Sequence, residues 1–258
     1  MRLNIQKLFC RPKDYGSNFP KRVCEKISWP PKWKFMKNKV MVVAAHPDDE
    51  VLGAGGIMLK HVADRDFLYI LILGDGESAR DDQGSIQKRA KQAQQVAKKI
   101  GAKELILEKL PDNKFDSLPL LTITKVVERT IFKIKPNLVY THFASDLNID
   151  HRLTFQAVLT ACRPQPGFFV KKIVSFEVLS STEWQHKSPQ TMFSPTEYIN
   201  ISQYIEKKVK LMKIYKDELR SFPHPRSAEG IKTLAHYRGM EVGFQNAEAF
   251  QVVRNIKD

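Results

Sequence analysis

The 258-residue chain is poor in cysteine, with only Cys10, Cys24 and Cys162. The number is odd and no CxxC pair occurs. That excludes a disulfide framework and a cysteine-built zinc cage, and leaves reduced thiols of a cytoplasmic protein as the expectation. Runs of about eighteen apolar residues are absent, so no membrane-spanning helix is expected. The N-terminus lacks the apolar core of a secretory signal. Internal repeats and low-complexity tracts are missing as well. With no G-x-x-x-x-G-K-[ST] string there is no P-loop, and with no G-x-S-x-G elbow a serine hydrolase is unsupported. Gly53-Ala-Gly55-Gly56 begins like a dinucleotide fingerprint, but Met58 stands where its third glycine belongs. Those glycines also follow the start of a helix, where close packing on a sheet is their expected use.

Acidic residues are scarce relative to basic ones: 28 Asp and Glu face 42 Lys and Arg, a net charge of +14. The excess is local. Residues 1–39 hold eleven Lys or Arg against Asp14 and Glu25, a net of +9, and they interleave Trp29, Trp33 and Phe35 with that charge. Pro12, Pro20, Pro30 and Pro31 break any long helix there. We read residues 1–39 as a basic N-terminal extension and 40–258 as the folded domain. Such an extension is either a solvated arm whose aromatics pack on the body, or a contact for an anionic carrier or membrane surface. A nucleic-acid partner is less favoured, and a homo-oligomer is compatible with the sequence.

Hydrophobic residues make up 42% of the chain, enough for one sizeable core. Continuous apolar runs at 40–45, 67–73, 105–107, 138–141 and 172–179 read as strands buried on both faces. Helical spacing fills 50–64, 85–100, 118–134 and 152–162. Strands alternating with helices predict βαβ units, a mainly parallel sheet and right-handed crossovers. Beyond a polar stretch at 181–195, the pattern predicts helices at 202–219 and 227–243, a stiff break at Phe222-Pro-His-Pro-Arg226, and a closing strand at 249–253.

Chemistry concentrates in two strings. Ala45-His46-Pro47-Asp48-Asp49-Glu50 falls where the first strand ends, and ligand crevices of open α/β sheets form at such carboxyl ends. Imidazole nitrogen and carboxylate oxygen both suit zinc. His46 and Asp49, three apart around a tight turn, can face one point, with Asp48 left to act on whatever the metal holds. Ser145-Asp146-Leu-Asn148-Ile-Asp150-His151-Arg152 lies beyond the fourth strand. There His151 can supply a third ligand and leave an open position, the pattern of a catalytic zinc. Asp150 is expected either to orient His151 or to cap the helix that follows.

His46-Pro-Asp-Asp-Glu50 together with Asp146-Leu-Asn-x-Asp-His151-Arg152 resembles the PIG-L, or LmbE-like, zinc-dependent N-deacetylases, over roughly residues 40–254. The resemblance implies a Rossmann-like three-layer α/β sandwich with a mainly parallel sheet. It implies hydrolysis of an N-acetyl group from an N-acetylamino sugar or sugar conjugate, in cell-surface glycan or glycoconjugate biosynthesis. By motif position His46, Asp49 and His151 match the zinc ligands, and Asp48 matches the base that takes a proton from the attacking water.

Relatives that carry His-Pro-Asp-His place a histidine where this chain has Asn148, so the donor that assists zinc must be found elsewhere. His142 and His224 are the catalytic candidates. Arg89, Asp112, Asp116, Asp146, Asn148 and Arg226 are candidates for binding substrate. His61, His186 and His236 read as surface or packing residues. Two competing readings stand beside the deacetylase: a metal-dependent amidohydrolase acting on another N-acyl conjugate, and a basic nucleic-acid or membrane-surface binding protein with a vestigial site.

Overall fold

Val40 to Ala44 are all fully buried, and a strand apolar on both faces has to be covered on both. In the computed structural model, which describes residues 37–76 and 83–257, that strand is β1 (Lys39–Ala44). It lies near the centre of a seven-stranded sheet of order β3-β2-β1-β4-β5-β7-β6. Strands β2 (Phe67–Gly74), β3 (Glu104–Leu110), β4 (Leu138–His142) and β5 (Lys172–Phe176) extend it in parallel, with Val40 opposite Leu68 on one side and Leu138 on the other. Strand β7 (Ala247–Asn255) runs antiparallel to β5, and β6 (Glu197–Asn200) antiparallel to β7. Residues 1–36, 77–82 and 258 lie outside the described residues, and with them nearly all of the expected basic extension.

Side chains alternate across a strand, so β1 divides the core. Val40, Val42 and Ala44 join α1 (Asp49–Ala63), α2 (Gln83–Ile100), α5 (Ile205–Met212) and α6 (Ala228–Met240); Met41, Val43 and Ala45 join α3 (Leu120–Ile134) and α4 (Ile149–Ala161). This is the three-layer α/β arrangement the alternation predicts. Helix α1 lies close on the sheet because it is glycine-rich: a Cβ on Gly53 would fall 2.1 Å from the Phe176 ring. Among the described residues, no helix is long and apolar enough to cross a membrane.

The last third departs from its predicted pattern. Strand β5 stops at Phe176, short of 179, because Glu177 turns to Arg238 of α6 (2.7 and 2.8 Å) and the Val178 N–H donates to Thr182 Oγ1 (2.8 Å). The helix expected over 202–219 ends at Met212. Beyond it Ile214, Tyr215 and Glu218 bond three residues back, and these tighter turns carry Tyr215 and Glu218 inward. No strand is predicted at 197–200, where the four short residues of β6 rely on pairing with β7 rather than on a pattern of their own.

The chain proceeds from β1 outward through β2 and β3, then returns beside β1 with β4 and moves the other way. That reversal opens a crevice at the carboxyl ends of β1 and β4. Both chemistry-bearing strings lie there.

Candidate functional site

The turn after β1 is held by its own side chains. Asp48 takes φ 117°, a conformation costly for a residue with a Cβ. Glu50 accepts the Asp48 N–H (2.9 Å), and the Asp48 carbonyl accepts from Val51 and Leu52 (3.0 and 2.9 Å), which starts α1. The Asp48 carboxylate caps no helix N–H. It is turned instead to Arg226, whose Nη1 lies 3.1 Å from Asp48 Oδ2. Strain held by the surrounding structure and a carboxylate kept out of capping are both signs of a functional position.

Around this turn three donors converge. His46 Nδ1 lies 3.3 Å and His151 Nε2 3.2 Å from Asp49 Oδ2, and His46, Asp49 and His151 offer ligand atoms all within 4.8 Å of one another. The far nitrogen of each ring is engaged by a carboxylate: His46 Nε2 by Asp150 (2.9 Å), His151 Nδ1 by Asp146 (3.0 Å). Those bonds place the ring protons on the outer nitrogens and turn the inner lone pairs toward Asp49, the arrangement metal-binding histidines adopt. Asp49 Oδ1 is buried with no hydrogen-bond partner among the described residues. The other oxygen, Oδ2, stands between the two inward ring nitrogens and accepts the His46 backbone N–H (3.0 Å); a buried carboxylate with one oxygen so flanked and the other unsatisfied fits a divalent cation. A second grouping, His46 with Asp112 and Asp150, uses the outer nitrogen of His46 and is read here as the support behind that ligand.

Electrostatics separate the neighbouring acids. Burial raises the Asp48 carboxyl to about 7, against the pull of Arg226. Burial opposes ionisation of Asp49 too, but His151 and His142 beside it hold that carboxyl well below the usual range. Burial disfavours the charged form of His46 and His151, yet His46 is raised to about 10 by Asp150 and Asp49, and His151 to about 9 by Asp49 and Asp146. A cation taken up between them displaces protons from those nitrogens.

The site opens to a cavity of about 130 Å³, lined by the turn residues with Arg89, Asp112, Asn113, Asn148, Glu218 and Arg226. Arg89 is buried and paired with Glu218, which also binds Arg226 (3.0 Å), so one carboxylate clamps both arginines. Asp112 Oδ1 lies 3.1 Å from His46 Nε2. Asn148 caps α4 by accepting the Asp150 N–H and donates to Asn113.

Other expected positions are corrected. Asp146 does not face the cavity: it is fully buried, accepting from His151, Ser181, Thr182 and the Asn148 N–H. Asp150 orients His46 rather than His151, and accepts the Phe115 N–H with its other oxygen (3.0 Å). His142 is buried behind the site, stacked 3.9 Å from the His151 ring, with Nε2 accepting the Ala45 N–H (2.8 Å). His224 lies outside the cavity lining; its Nδ1 accepts the Arg226 N–H (3.1 Å) and so shapes the turn that delivers Arg226. Asp116 is exposed in the 3-10 turn Phe115–Ser117, also outside the lining. His61 is a packing residue with partners, Asp66 (2.8 Å) and the Tyr140 hydroxyl (3.0 Å). Sequence reasoning missed Glu50, Tyr215, Glu218, Ser181 and Thr182. Tyr215 donates to Glu50 (2.6 Å) and so steadies the Asp48 backbone from a distant segment.

Sheet, switch point and donor cluster together define a mainly parallel three-layer α/β protein with a candidate metal centre. Residues 41–162, which span both strings from β1 to the end of α4, match the family model described as PIG-L: GlcNAc-PI de-N-acetylase. An uncharacterized deacetylase of Escherichia coli K12, YaiS, is 26% identical over 163 residues, 61% of this chain and 82% of that protein. The fold is similar to that of N,N'-diacetylchitobiose deacetylase from Pyrococcus horikoshii, with TM-score 0.67 and 20% identity over 84% of each chain. It is equally similar to GalB, the 4-carboxy-2-hydroxymuconate hydratase of Pseudomonas putida KT2440, with TM-score 0.69 and 19% identity over 86% of this chain and 98% of that one. The family match and the deacetylase relative support a hydrolase of the deacetylase class.

Proposed function

We propose that the protein removes the acetyl group from an N-acetylated amino sugar, alone or as part of a larger conjugate, with zinc held by His46, Asp49 and His151. One observation carries the reading: three donors meet at the switch point, the outer nitrogens of the two histidines rest on carboxylates, and an acid that is not a ligand stands beside them. GalB bears the same fold and a hydratase name, so fold alone does not choose the reaction. The PIG-L segment and the site favour amide hydrolysis.

When bound, zinc supplies a Lewis acid that polarises an amide carbonyl and acidifies water. The chain's own residues do the rest. Asp48, ionised above about pH 7, accepts a proton from the attacking water and passes it to the departing nitrogen, so that an amine and acetate leave. Arg226 fixes the oxygen of Asp48 it touches and leaves the other for the proton. Arg89 and Arg226, tied by Glu218, offer fixed cations to charge that develops on the acetyl oxygen. Asp112, Asn113 and Asn148 present polar groups to sugar hydroxyls at the cavity mouth. In the same reading the protein is cytoplasmic, and residues 1–39 bring it to an anionic carrier or membrane surface.

The test is acetate release from N-acetylglucosamine and its conjugates by zinc-loaded protein. Turnover that falls about a thousandfold in Asp48→Asn, with metal retained, supports the assignment. Absence of acetate from every N-acetylated sugar tried, with metal bound, overturns it.

A further inference from the structure

Asp48 and the three metal ligands are held by different parts of the chain. Among the described residues, the hydrogen bonds and ion pairs of the His46 and His151 rings and of the Asp49 carboxylate run among themselves and to Asp112, His142, Asp146 and Asp150. All of these residues lie at or before His151. The contacts of Asp48 lead instead into one stretch of the last third, residues 212–226. Tyr215, fully buried, donates to Glu50 Oε1 (2.6 Å), while Glu50 Oε2 accepts the Asp48 N–H (2.9 Å). Three residues on, Glu218 binds Arg226 Nη1 (3.0 Å), and the same nitrogen binds Asp48 Oδ2 (3.1 Å). One path ends on the backbone of Asp48 and the other on its carboxylate.

The stretch is tied down along its length. The Tyr215 N–H donates to the Met212 carbonyl and the Glu218 N–H to the Tyr215 carbonyl (3.0 Å each). From α2 the Gln92 side chain donates to the Ile214 carbonyl (2.9 Å), and Arg89 pairs with Glu218. The Arg220 N–H donates to the Arg226 carbonyl (3.2 Å), which closes the loop that carries Arg226. Such bracing matters because Asp48 stands at φ 117°. A residue with a Cβ relaxes out of that region unless its surroundings prevent it. Glu50 is buried, and the Tyr215 hydroxyl satisfies the oxygen that the Asp48 N–H does not. Without that hydroxyl the Glu50 carboxylate has an unsatisfied oxygen in a buried place and every reason to turn away from Asp48.

We infer that Tyr215 and Glu218 are positioning residues: Tyr215 acts through Glu50 on the backbone of Asp48, and Glu218 acts through Arg226 on its carboxylate. Residues 212–226 thus set the aim of the base and leave the metal ligands alone. The inference rests on the deacetylase reading for what Asp48 does, and on the contacts above for what holds it.

The test compares full-length zinc-loaded wild type with Tyr215→Phe, which removes only the hydroxyl, and with Val127→Ala, a truncation in a core cluster that contains none of these residues. In Tyr215→Phe the Asp48 amide should exchange about tenfold faster by NMR, with the amides of β1 unchanged. Zinc affinity from chelator competition should stay within about twofold, since no ligand loses its support. In acetate release kcat should fall about tenfold at unchanged KM, whereas Val127→Ala should keep the wild-type kcat. The loss should vanish beside Asp48→Asn, where no base remains to be aimed. Equal acceleration of exchange at Asp48 and throughout β1, or zinc affinity lost along with kcat, would make Tyr215 merely structural. A loss that adds in full to that of Asp48→Asn would place its action elsewhere. Each of these overturns the inference. Should Tyr215→Phe not fold, Glu218→Gln takes its place with the same kinetic and zinc-binding expectations. If wild type releases no acetate, the deacetylase reading fails by itself. Exchange then decides the positioning: selective acceleration at Asp48 supports it, and none refutes it.

Discussion

Replacing Asp146 by Ala should weaken zinc binding without touching a ligand. Its carboxylate accepts from His151 Nδ1, the Ser181 and Thr182 hydroxyls and the Asn148 N–H, all in a fully buried place. Alanine leaves these donors without their acceptor. An orphaned buried donor costs about 1–3 kcal/mol, and partial rearrangement should hold the total near 3 kcal/mol, or about 6–12 °C in Tm for a domain of this size. Free to rotate or change tautomer, His151 should hold zinc about 10–100-fold less tightly. Thr182→Val is the control: it removes one hydroxyl but leaves the carboxylate on His151, so Tm falls slightly while zinc affinity is kept. Competition with a chromophoric chelator gives the affinity, and thermal unfolding of metal-free protein gives the stability. Zinc affinity of Asp146→Ala within about twofold of wild type would refute the argument that Asp146 orients a metal ligand.

Acid should expose the same carboxylate. Hydrogen bonds and His151 outweigh burial and lower Asp146 to about 2, so its stabilising contribution is complete above its unfolded value near 4 and lost as pH falls toward 2; wild type should lose stability across that window more steeply than Asp146→Ala. The Asp48 carboxyl, raised to about 7, must be ionised to act, so kcat/KM should rise with pH through an acidic limb. Arg226→Met removes a cation that lowers that value and should move the limb to higher pH. Lys208→Met should cost about 3 kcal/mol in urea unfolding, since Lys208 binds Glu248 and the Leu52 carbonyl (2.7 Å each) and its loss leaves a buried carboxylate with no cation, held only by the Gly56 and Ile57 N–H groups. Gly53→Ala should lower Tm, because its Cβ would overlap Phe176.

What could be read from the chain follows from how local each feature is. His46, Asp48 and Asp49 share one turn at the end of a continuous apolar strand, so their convergence needs only the strand-to-helix geometry. His151 required that β4 lie beside β1, which alternation of strands and helices implies. The exchange of roles between Asp146 and Asp150 was not legible, because it depends on where α4 starts. With Asn148 as the cap, Asp150 projects toward His46 and Asp146 falls back against His151. Tyr215 and Glu218 were hidden in an amphipathic pattern that promised a longer helix; the stiff segment through Arg226 was the one signal that the last third returns to the site. Ser181 and Thr182 lie in a polar stretch with no periodicity, and only the buried carboxylate they satisfy reveals their use.

The most direct test of the metal centre is anomalous diffraction at the zinc edge from crystals of the protein grown with zinc. A single peak enclosed by His46 Nδ1, Asp49 and His151 Nε2 is the predicted result. A peak on the opposite side of His46, between Asp112 and Asp150, or none at either place, would contradict it.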